Sequence, residues 1–399
     1  MYEIREAKDE DRDSAIRLLW KAHEVTSNLE DVRKEEWAKG WHSPEKRDWS
    51  YIALDGTEVV ANVSFFEDNE NVIRGNPIPF SAVWGVATLP QHRRRGLIRK
   101  LFIESFKSMK EKGISFSILA PFYKAYYERF GYSLAENRVK HEFPRKLLRL
   151  VKGDERITNR ELTDISEVII AQEMERSMSR FGSRNFHTKS TLERMVKGNH
   201  FHLFERNNEP VGTVKFNFWK GKEHELDLGV SATTYTSIDV FPSIVELVGQ
   251  YATNATTIKW FCDPQIPVRY YMDDLQDWKT VDWSGMMMRV IDLEGYGASI
   301  RVPENATESV VLKLDDEMCP WNQGTYKLIP NSGSLEVERL DNSIEPDVSV
   351  NSLGLSEIIG GLNPATLLRG LGRINCSAVV ASNLESIFPA DSFVSYQRF

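Results

Sequence analysis

The alternation of apolar and polar residues divides the first third of the chain into short strands and amphipathic helices. Apolar segments bounded by turn residues predict strands at Tyr51–Leu54, Val59–Phe66 and Phe80–Ala87. A repeat of about 3.6 residues predicts a helix over Arg94–Lys110, and a further apolar strand follows at Ser115–Leu119. The apolar face of that helix consists of Leu97, Ile98, Leu101, Phe102, Phe106 and Met109. From these elements we expect an α+β fold with mixed α/β sheets.

The same order of patterns recurs further along the chain. Ser243–Ala252 has a helical repeat and Thr257–Phe261 a strand pattern, as in the first unit, but without a basic loop before the helix. A third series of strand and helix patterns begins near Met286–Ile291. We therefore predict three domains, at residues 1–150, 151–290 and 291–399, of which the second is a degenerate copy of the first.

Hydropathy predicts no membrane segment. No apolar run approaches the roughly 18–20 residues that cross a bilayer, and the first residues lack the apolar core of a signal peptide. A cytoplasmic location is the resulting expectation.

The charge balance and the cysteine content of the chain argue against two classes of partner, nucleic acids and metal ions. Fifty Lys and Arg residues against 58 Asp and Glu residues give a net charge of −8, whereas nucleic-acid-binding proteins usually carry a basic surface. We expect no nucleic-acid partner. The three cysteines, Cys262, Cys319 and Cys376, are far apart and odd in number, which argues against a disulfide framework and a CxxC metal site. We expect no metal.

A basic loop connects the strand that ends at Pro90 with the helix predicted over Arg94–Lys110. The first turn of a helix has unpaired N–H groups and a partial positive charge, so it can bind a pyrophosphate. Gly96 has no Cβ, which lets phosphates approach the backbone, and Arg94, Arg95 and Arg99 add charge. Three arginines alone are more typical of a solvated turn. The order of strand, proline, Arg-x-x-Gly and helix favours the anion site, and the Walker and Rossmann glycine patterns are absent.

An aromatic segment follows the Ser115–Leu119 strand. Its sequence is Tyr126-Tyr127-Glu128-Arg129-Phe130-Gly131-Tyr132, with Tyr123 one turn earlier. A tyrosine in such a segment can serve as a general acid, which donates a proton to a leaving group. Taken alone, aromatic residues at this spacing are more often packed in a core.

Three segments together resemble a known family. Arg93-Arg94-Arg95-Gly96-Leu97-Ile98 resembles the acetyl-CoA motif of the GNAT superfamily, Gln/Arg-x-x-Gly-x-Gly/Ala, with Ile98 in place of the small last residue. The Tyr-x-Arg-Phe-Gly-Tyr segment from Tyr127 resembles the signature after the fifth strand of these enzymes. Residues Leu314–Tyr326 resemble the sterol-carrier-like C-terminal domain of the Eis (enhanced intracellular survival) acetyltransferases, which have two GNAT units before it.

The resemblance implies an activity and a set of site residues. It implies acetyl-CoA as co-substrate, with Tyr127 as general acid and the α-carboxylate of Phe399 as general base; without it, a frayed chain end is the simpler interpretation of Phe399. It also implies primary amines of cationic substrates (aminoglycosides, polyamines or lysine side chains) and a hexamer. The implied cofactor-binding residues are Val86, Ala87, Thr88, Arg94, Arg95, Gly96, Leu97, Ile98, Arg99, Phe122 and Tyr123.

A second function remains open. The sterol-carrier-like domain is compatible with a lipid-binding carrier in which the first unit senses acyl-CoA without turnover. A pure carrier needs neither Tyr127 nor a catalytic Phe399, so the co-occurrence of both with the Arg-x-x-Gly loop favours the enzyme.

Overall fold

The computed structural model describes residues 2–23, 28–33, 38–39, 41–42, 48–66, 69–178, 184–187, 196, 199–221, 225–283, 285–297, 299–391 and 394–395. The described strands are β1 (Glu3–Glu6), β2 (Asp48–Asp55), β3 (Glu58–Phe66), β4 (Asn69–Ile73), β5 (Asn76–Ile78), β6 (Phe80–Thr88), β7 (Phe116–Leu119), β8 (Ser133–Leu134), β9 (Arg138–Pro144), β10 (Ile157–Glu161), β11 (Arg184–His187), β12 (His200–Arg206), β13 (Glu209–Lys220), β14 (Leu226–Tyr235), β15 (Thr257–Cys262), β16 (Lys279–Trp283), β17 (Met287–Val290), β18 (Val310–Asp315), β19 (Gly324–Asn331), β20 (Ser334–Leu340), β21 (Val348–Asn351), β22 (Asn375–Cys376) and β23 (Val394–Ser395).

The described α-helices are α1 (Arg12–Ala22), α2 (Leu29–Val32), α3 (Leu97–Glu111), α4 (Lys124–Glu128), α5 (Ile165–Met178), α6 (Phe241–Tyr251), α7 (Leu293–Gly297), α8 (Ser352–Gly360), α9 (Ala365–Gly370) and α10 (Ala378–Ile387). Helix α3 begins three residues later than the pattern predicts, because Gly96 has a left-handed backbone (φ 72°) that cannot continue a right-handed helix. Arg94 and Arg95 therefore belong to the loop. No helix among the described residues is both long enough and apolar enough to cross a membrane.

The first unit forms a seven-stranded sheet in the order β1-β2-β3-β6-β7-β17-β8. Its neighbouring strands are antiparallel except β6 and β7, which are parallel because α3 carries the chain back between them. Helix α3 packs its apolar face on the sheet, with Leu101, Phe102 and Phe106 fully buried. That burial is the main free-energy gain of an amphipathic helix in a small domain.

The second unit repeats this topology. Its sheet runs β10-β12-β13-β14-β15-β9-β16, and the parallel pair, β14 and β15, occupies the same position as β6 and β7. Both sheets also have a register shift beside that pair, between Asn62 and Ser64 in the first and between Lys215 and Phe216 in the second. The predicted tandem fold with mixed sheets is therefore confirmed.

The two units exchange their sixth strand. Strand β17 follows the second unit along the chain, yet it lies between β7 and β8 in the first sheet. Strand β9 precedes the second unit and lies between β15 and β16 in its sheet. The domain bounds given above remain a prediction. Strands β9 and β17 each pair with strands on the other side of a predicted bound.

The third unit has a five-stranded sheet, β20-β19-β18-β21-β22, covered by helices α8 to α10. It packs on the face of the first sheet opposite α3. One apolar core joins Phe80, Phe116 and Met288 of the first sheet to Leu312 and Ile358 of the third unit. A contiguous core of this kind holds the two units in a fixed relation.

A small sheet, β23-β11-β4-β5, takes strands from all three units. Arg74 lies at its β4–β5 turn and is fully buried, and it donates to the carbonyl oxygens of Ile358, Ile359 and Pro389 at 3.1, 3.0 and 2.6 Å. Two of these are terminal carbonyls of α8, which have no partner within the helix. The guanidinium thus fixes the segment that leads to β23.

Candidate active site

A gap opens between β6 and β7 at the middle of the first sheet. The parallel pairing runs from Phe80–Phe116 to Val83–Leu119, and β6 then continues to Thr88, beyond the last pair. Two parallel strands that part in this way leave main-chain groups of the longer strand facing the gap. Val86, Ala87 and Thr88, which the sequence predicts as cofactor residues, lie on this part of β6.

The bend that opens the gap is at Gly85. Its backbone is left-handed (φ 58°), and a Cβ there would lie 3.2 Å from Nδ2 of Asn62. Asn62 is buried and donates to the Gly85 carbonyl oxygen at 2.8 Å, while Trp41 Nε1 donates to Asn62 Oδ1 at 3.2 Å. Gly85 and Asn62 are not in the predicted cofactor set. A glycine inside an apolar strand pattern is the signal that indicates a bulge.

The loop after β6 leads into an uncapped helix N-terminus. Arg94 and Gly96 both have left-handed backbones (φ 61° and 72°), and no side chain caps the first turn of α3. The free N–H groups of that turn carry the partial positive charge expected for an anion site. A Cβ at Gly96 would meet nothing within 4 Å, so this glycine is required for its backbone conformation, and the space outside the loop is open.

The predicted cofactor residues of this loop divide into two groups. Arg94, Arg95 and Arg99 are exposed, whereas Leu97 and Ile98 bury their side chains in the core. Only the main chain of the latter two can reach a ligand outside the helix. Ile98 replaces the small residue of the family motif, and its core position explains why a large side chain fits there.

Two of the arginines have protein partners. Arg95 donates to the hydroxyl of Tyr2 and stacks over its ring at 5.8 Å. Arg99 forms an ion pair of 3.0 Å with Glu317 of the third unit. Exposed pairs of this kind are weak, so both guanidinium groups can exchange their partners for phosphate oxygens at little cost.

Tyr127 lies on the short helix α4, beyond the end of β7. It is 4% exposed, and its ring meets those of Tyr126 at 5.1 Å and Phe122 at 5.5 Å. Its hydroxyl forms no hydrogen bond with any described side chain. Burial, with a smaller contribution from Tyr126, raises the pKa of Tyr127 above its usual value. The hydroxyl is therefore protonated at neutral pH and can act as a proton donor.

The remaining predicted residues lie at the surface or outside the described residues. Phe122 and Tyr123 are 73% and 64% exposed, next to Tyr127. Phe399 lies outside the described residues, so its predicted role as base remains a prediction. The described residues contain no cluster of three metal-binding side chains.

The fold brings one cysteine into the same core as Tyr127. Cys319 is distant in sequence from the cofactor motif, but it is fully buried in the cluster that contains Tyr127 and Leu97. Burial raises the pKa of its thiol to about 11, so at neutral pH it is protonated and a poor nucleophile.

Comparison with known families matches two parts of the chain. Residues 3–135 match the acetyltransferase (GNAT) domain, and residues 293–394 match the sterol carrier protein domain. An uncharacterized N-acetyltransferase of Streptomyces avermitilis is 21% identical over 359 residues, which cover 82% of this chain and 83% of the relative. A second, from Streptomyces coelicolor, is 21% identical over 332 residues, 77% of this chain and 78% of the relative.

Solved structures share the fold over the whole chain. A GCN5-related N-acetyltransferase from Anabaena variabilis has a TM-score of 0.83 at 14% identity, with 100% of both chains covered. A probable N-acyltransferase from Enterococcus faecalis has a TM-score of 0.84 at 17% identity, also with 100% of both chains covered. Eis1 from Mycobacterium abscessus has a TM-score of 0.76 at 16% identity over 100% of both chains.

Proposed function

We propose that this chain is an Eis-like N-acetyltransferase of the GNAT superfamily and that it transfers the acetyl group of acetyl-CoA directly to a primary amine of a cationic substrate. One observation carries the proposal: β6 leaves β7 at Gly85 and leads into the uncapped N-terminus of α3. A thioester arm and a pyrophosphate at its far end require these two features in this order.

The proposed donor site runs along β6 and ends at α3. Main-chain groups of Val86, Ala87 and Thr88 would bind the pantetheine arm, and the first turn of α3 would bind the pyrophosphate. Arg94, Arg95 and Arg99 would neutralise phosphate charge. This assignment needs no side chain of Leu97 or Ile98, in agreement with their burial.

In the proposed reaction the amine nitrogen attacks the thioester carbonyl carbon. A C–N bond forms, the C–S bond breaks, and the thiolate takes the proton of the Tyr127 hydroxyl. The amine loses its proton to the α-carboxylate of Phe399, directly or through water. Direct attack is supported by the state of Cys319, whose buried, protonated thiol is unsuited to carry the acetyl group.

Replacement of Tyr127 by phenylalanine tests the acid. We expect Tyr127→Phe to lower kcat about 100-fold, because general acid catalysis is worth roughly 10²–10⁴, and to change the KM for acetyl-CoA little. Thiol release is measured with kanamycin, spermidine and a lysine peptide as acceptors. The matched control is Tyr126→Phe, which removes the hydroxyl of the neighbouring, half-buried tyrosine and should keep most of the activity. Loss of activity in the control alone would assign the acid to Tyr126.

A short extension after Phe399 tests the base. Adding Gly-Ser-Gly moves the carboxylate away, so we expect a loss of kcat with unchanged binding of acetyl-CoA. Equal activity of the extended and unextended chains would exclude this base. If neither chain releases thiol with any amine while both bind acetyl-CoA, the acyl-CoA-sensing carrier becomes the better interpretation.

A further inference from the structure

Arg289 is buried at the junction between the first sheet and the third unit. It lies on β17, the exchanged strand, and its side chain has no exposed surface. One nitrogen, Nη1, donates to the Phe130 carbonyl oxygen at 2.5 Å. A second nitrogen, Nη2, donates to both carboxylate oxygens of Asp316 at 2.6 and 2.9 Å. One guanidinium thus joins the two units.

The Phe130 carbonyl belongs to the turn that carries Tyr127. The N–H of Phe130 donates to the Tyr127 carbonyl oxygen at 2.9 Å, and the N–H of Tyr132 to the same oxygen at 3.3 Å. Gly131 follows with a left-handed backbone, and a Cβ there would lie 1.6 Å from Arg289 Nη1. The guanidinium therefore lies directly against this turn and leaves no room for a side chain at Gly131.

Asp316 is itself rigidly held. Its Oδ1 accepts the main-chain N–H groups of Met318 and Cys319 at 3.2 and 3.1 Å. Met318 and Cys319 are buried in the core that contains Tyr127, and the adjacent Glu317 pairs with Arg99 in the first turn of α3. This loop of the third unit, residues 315–319, thus contacts both the Tyr127 turn and the helix of the proposed cofactor site.

We propose that Arg289 is a positioning residue for acetyl transfer, which holds the Tyr127 turn in register through its bridge from Phe130 to Asp316. The inference rests on the proposed role of Tyr127. The loop of residues 315–319 in the sterol-carrier-like unit then helps to position a residue of the proposed acetyltransferase site. A displacement of about 1 Å can cost about 100-fold in rate when a reacting group is misplaced. The hydrogen bond from Arg289 to the Phe130 carbonyl oxygen, three residues from Tyr127, therefore affects the rate.

The burial of a charged pair, Arg289 and Asp316, where two apolar residues could pack supports a positioning role over a purely stabilising one. Taking two charges out of water is expensive, and buried pairs can often be replaced by apolar residues with no loss of stability. What an apolar pair cannot supply is a donor for the Phe130 carbonyl. Because Nη2 is held by both carboxylate oxygens of Asp316, the planar guanidinium directs Nη1 toward the Phe130 carbonyl oxygen.

The test is a double-mutant cycle on the full chain. Single replacements would leave an unpaired buried charge and a poorly folded protein, so the two charges are removed together in Arg289→Met/Asp316→Leu. We expect kcat to fall 10- to 50-fold, with the KM for acetyl-CoA within about threefold of the unmodified chain. In the Tyr127→Phe background the same pair of replacements should lower kcat less than threefold, because the acid that it positions is already gone.

The outcomes separate the positioning role from the proposed function. Equal kcat losses in the two backgrounds would overturn the positioning role and leave Arg289 as a structural residue. An unchanged kcat in Tyr127→Phe would show instead that the acid is wrongly assigned. The matched control is Lys259→Met/Asp227→Leu, which removes an ion pair of 2.6 Å from the second sheet. It should leave both kcat and KM unchanged, and its melting temperature shows what the loss of such a pair costs in stability.

Discussion

Gly131 is the residue in the Tyr127 turn that tolerates no side chain. Its φ of 79° costs an alanine about 1–2 kcal/mol, and a methyl group there would also collide with the Arg289 guanidinium. We predict that Gly131→Ala lowers both the melting temperature and kcat. The matched control is Gly113→Ala, at a similar φ of 72° with nothing within 4 Å of the new Cβ. It should show the backbone cost alone, and equal effects in the two variants would contradict the contact with Arg289.

The pH dependence of kcat is a second prediction at this scale. An acid must be protonated to act, and burial raises the pKa of Tyr127, so the active form should persist as pH rises past 10, the usual tyrosine value. We expect no decline of kcat between pH 8 and 10.5, as long as circular dichroism shows the protein folded. A loss centred near pH 10 that is absent in Tyr127→Phe would mean that Tyr127 titrates as an exposed tyrosine.

The sequence predicts some residues of the candidate site and not others, for a physical reason. Tyr127 and the Arg94–Arg99 loop are local motifs, so their spacing along the chain is itself the signal. Arg289 acts on the Tyr127 turn through a contact with Phe130 that spans 159 positions of the chain, and Asp316 acts through Arg289. Nothing in the local pattern of β17, four apolar or cationic residues, indicates that its arginine would be buried against a carbonyl.

At the scale of elements, the second unit retains the strands of the first but closes the gap between them. Strand β14 runs on beyond its last parallel pair, Val230–Trp260, as β6 does. Here the fully buried Trp260 donates from Nε1 to Thr233 Oγ1 at 3.0 Å, across the two strands. The segment before α6 contains Asp239, paired with Arg206, in place of a basic loop. The second unit thus lacks the basic loop, as predicted, and Trp260 also closes the gap between β14 and β15. The sequence pattern could not reveal this closure.

One acetyl-CoA per chain is the resulting prediction. Isothermal titration of the full chain should give a single binding event, because in the second unit Trp260 bridges the two strands and no basic loop precedes the helix. The control is Gly96→Val, since a β-branched residue cannot adopt a φ of 72° without strain. It should abolish the heat of binding altogether. Binding that persists in this variant would reveal a second site.

At the scale of the whole molecule, the exchanged strands determine what can fold alone. The order of elements along the chain predicts three consecutive domains, and the family matches at residues 3–135 and 293–394 follow that order. Pairing between distant strands has no local signature, however, so the positions of β9 and β17 follow only from the structure. Met287 and Met288 are fully buried, in the cores on opposite faces of the first sheet. A first unit cut at residue 150 would expose both cores and lack the strand between β7 and β8.

We therefore predict that residues 1–150 expressed alone are unfolded or aggregated, because the missing strand leaves the edge of β7 unpaired and apolar. The matched control is the same fragment with residues 285–292 attached through a flexible linker, which restores β17 and its apolar side chains. It should show more secondary structure by circular dichroism and a cooperative thermal transition. It should nevertheless be less stable than the full chain, because the face that carries Phe80, Phe116 and Met288 still lacks its cover from the third unit. A stable, folded fragment without β17 would mean that the exchange is dispensable and that the first unit closes its sheet in another way.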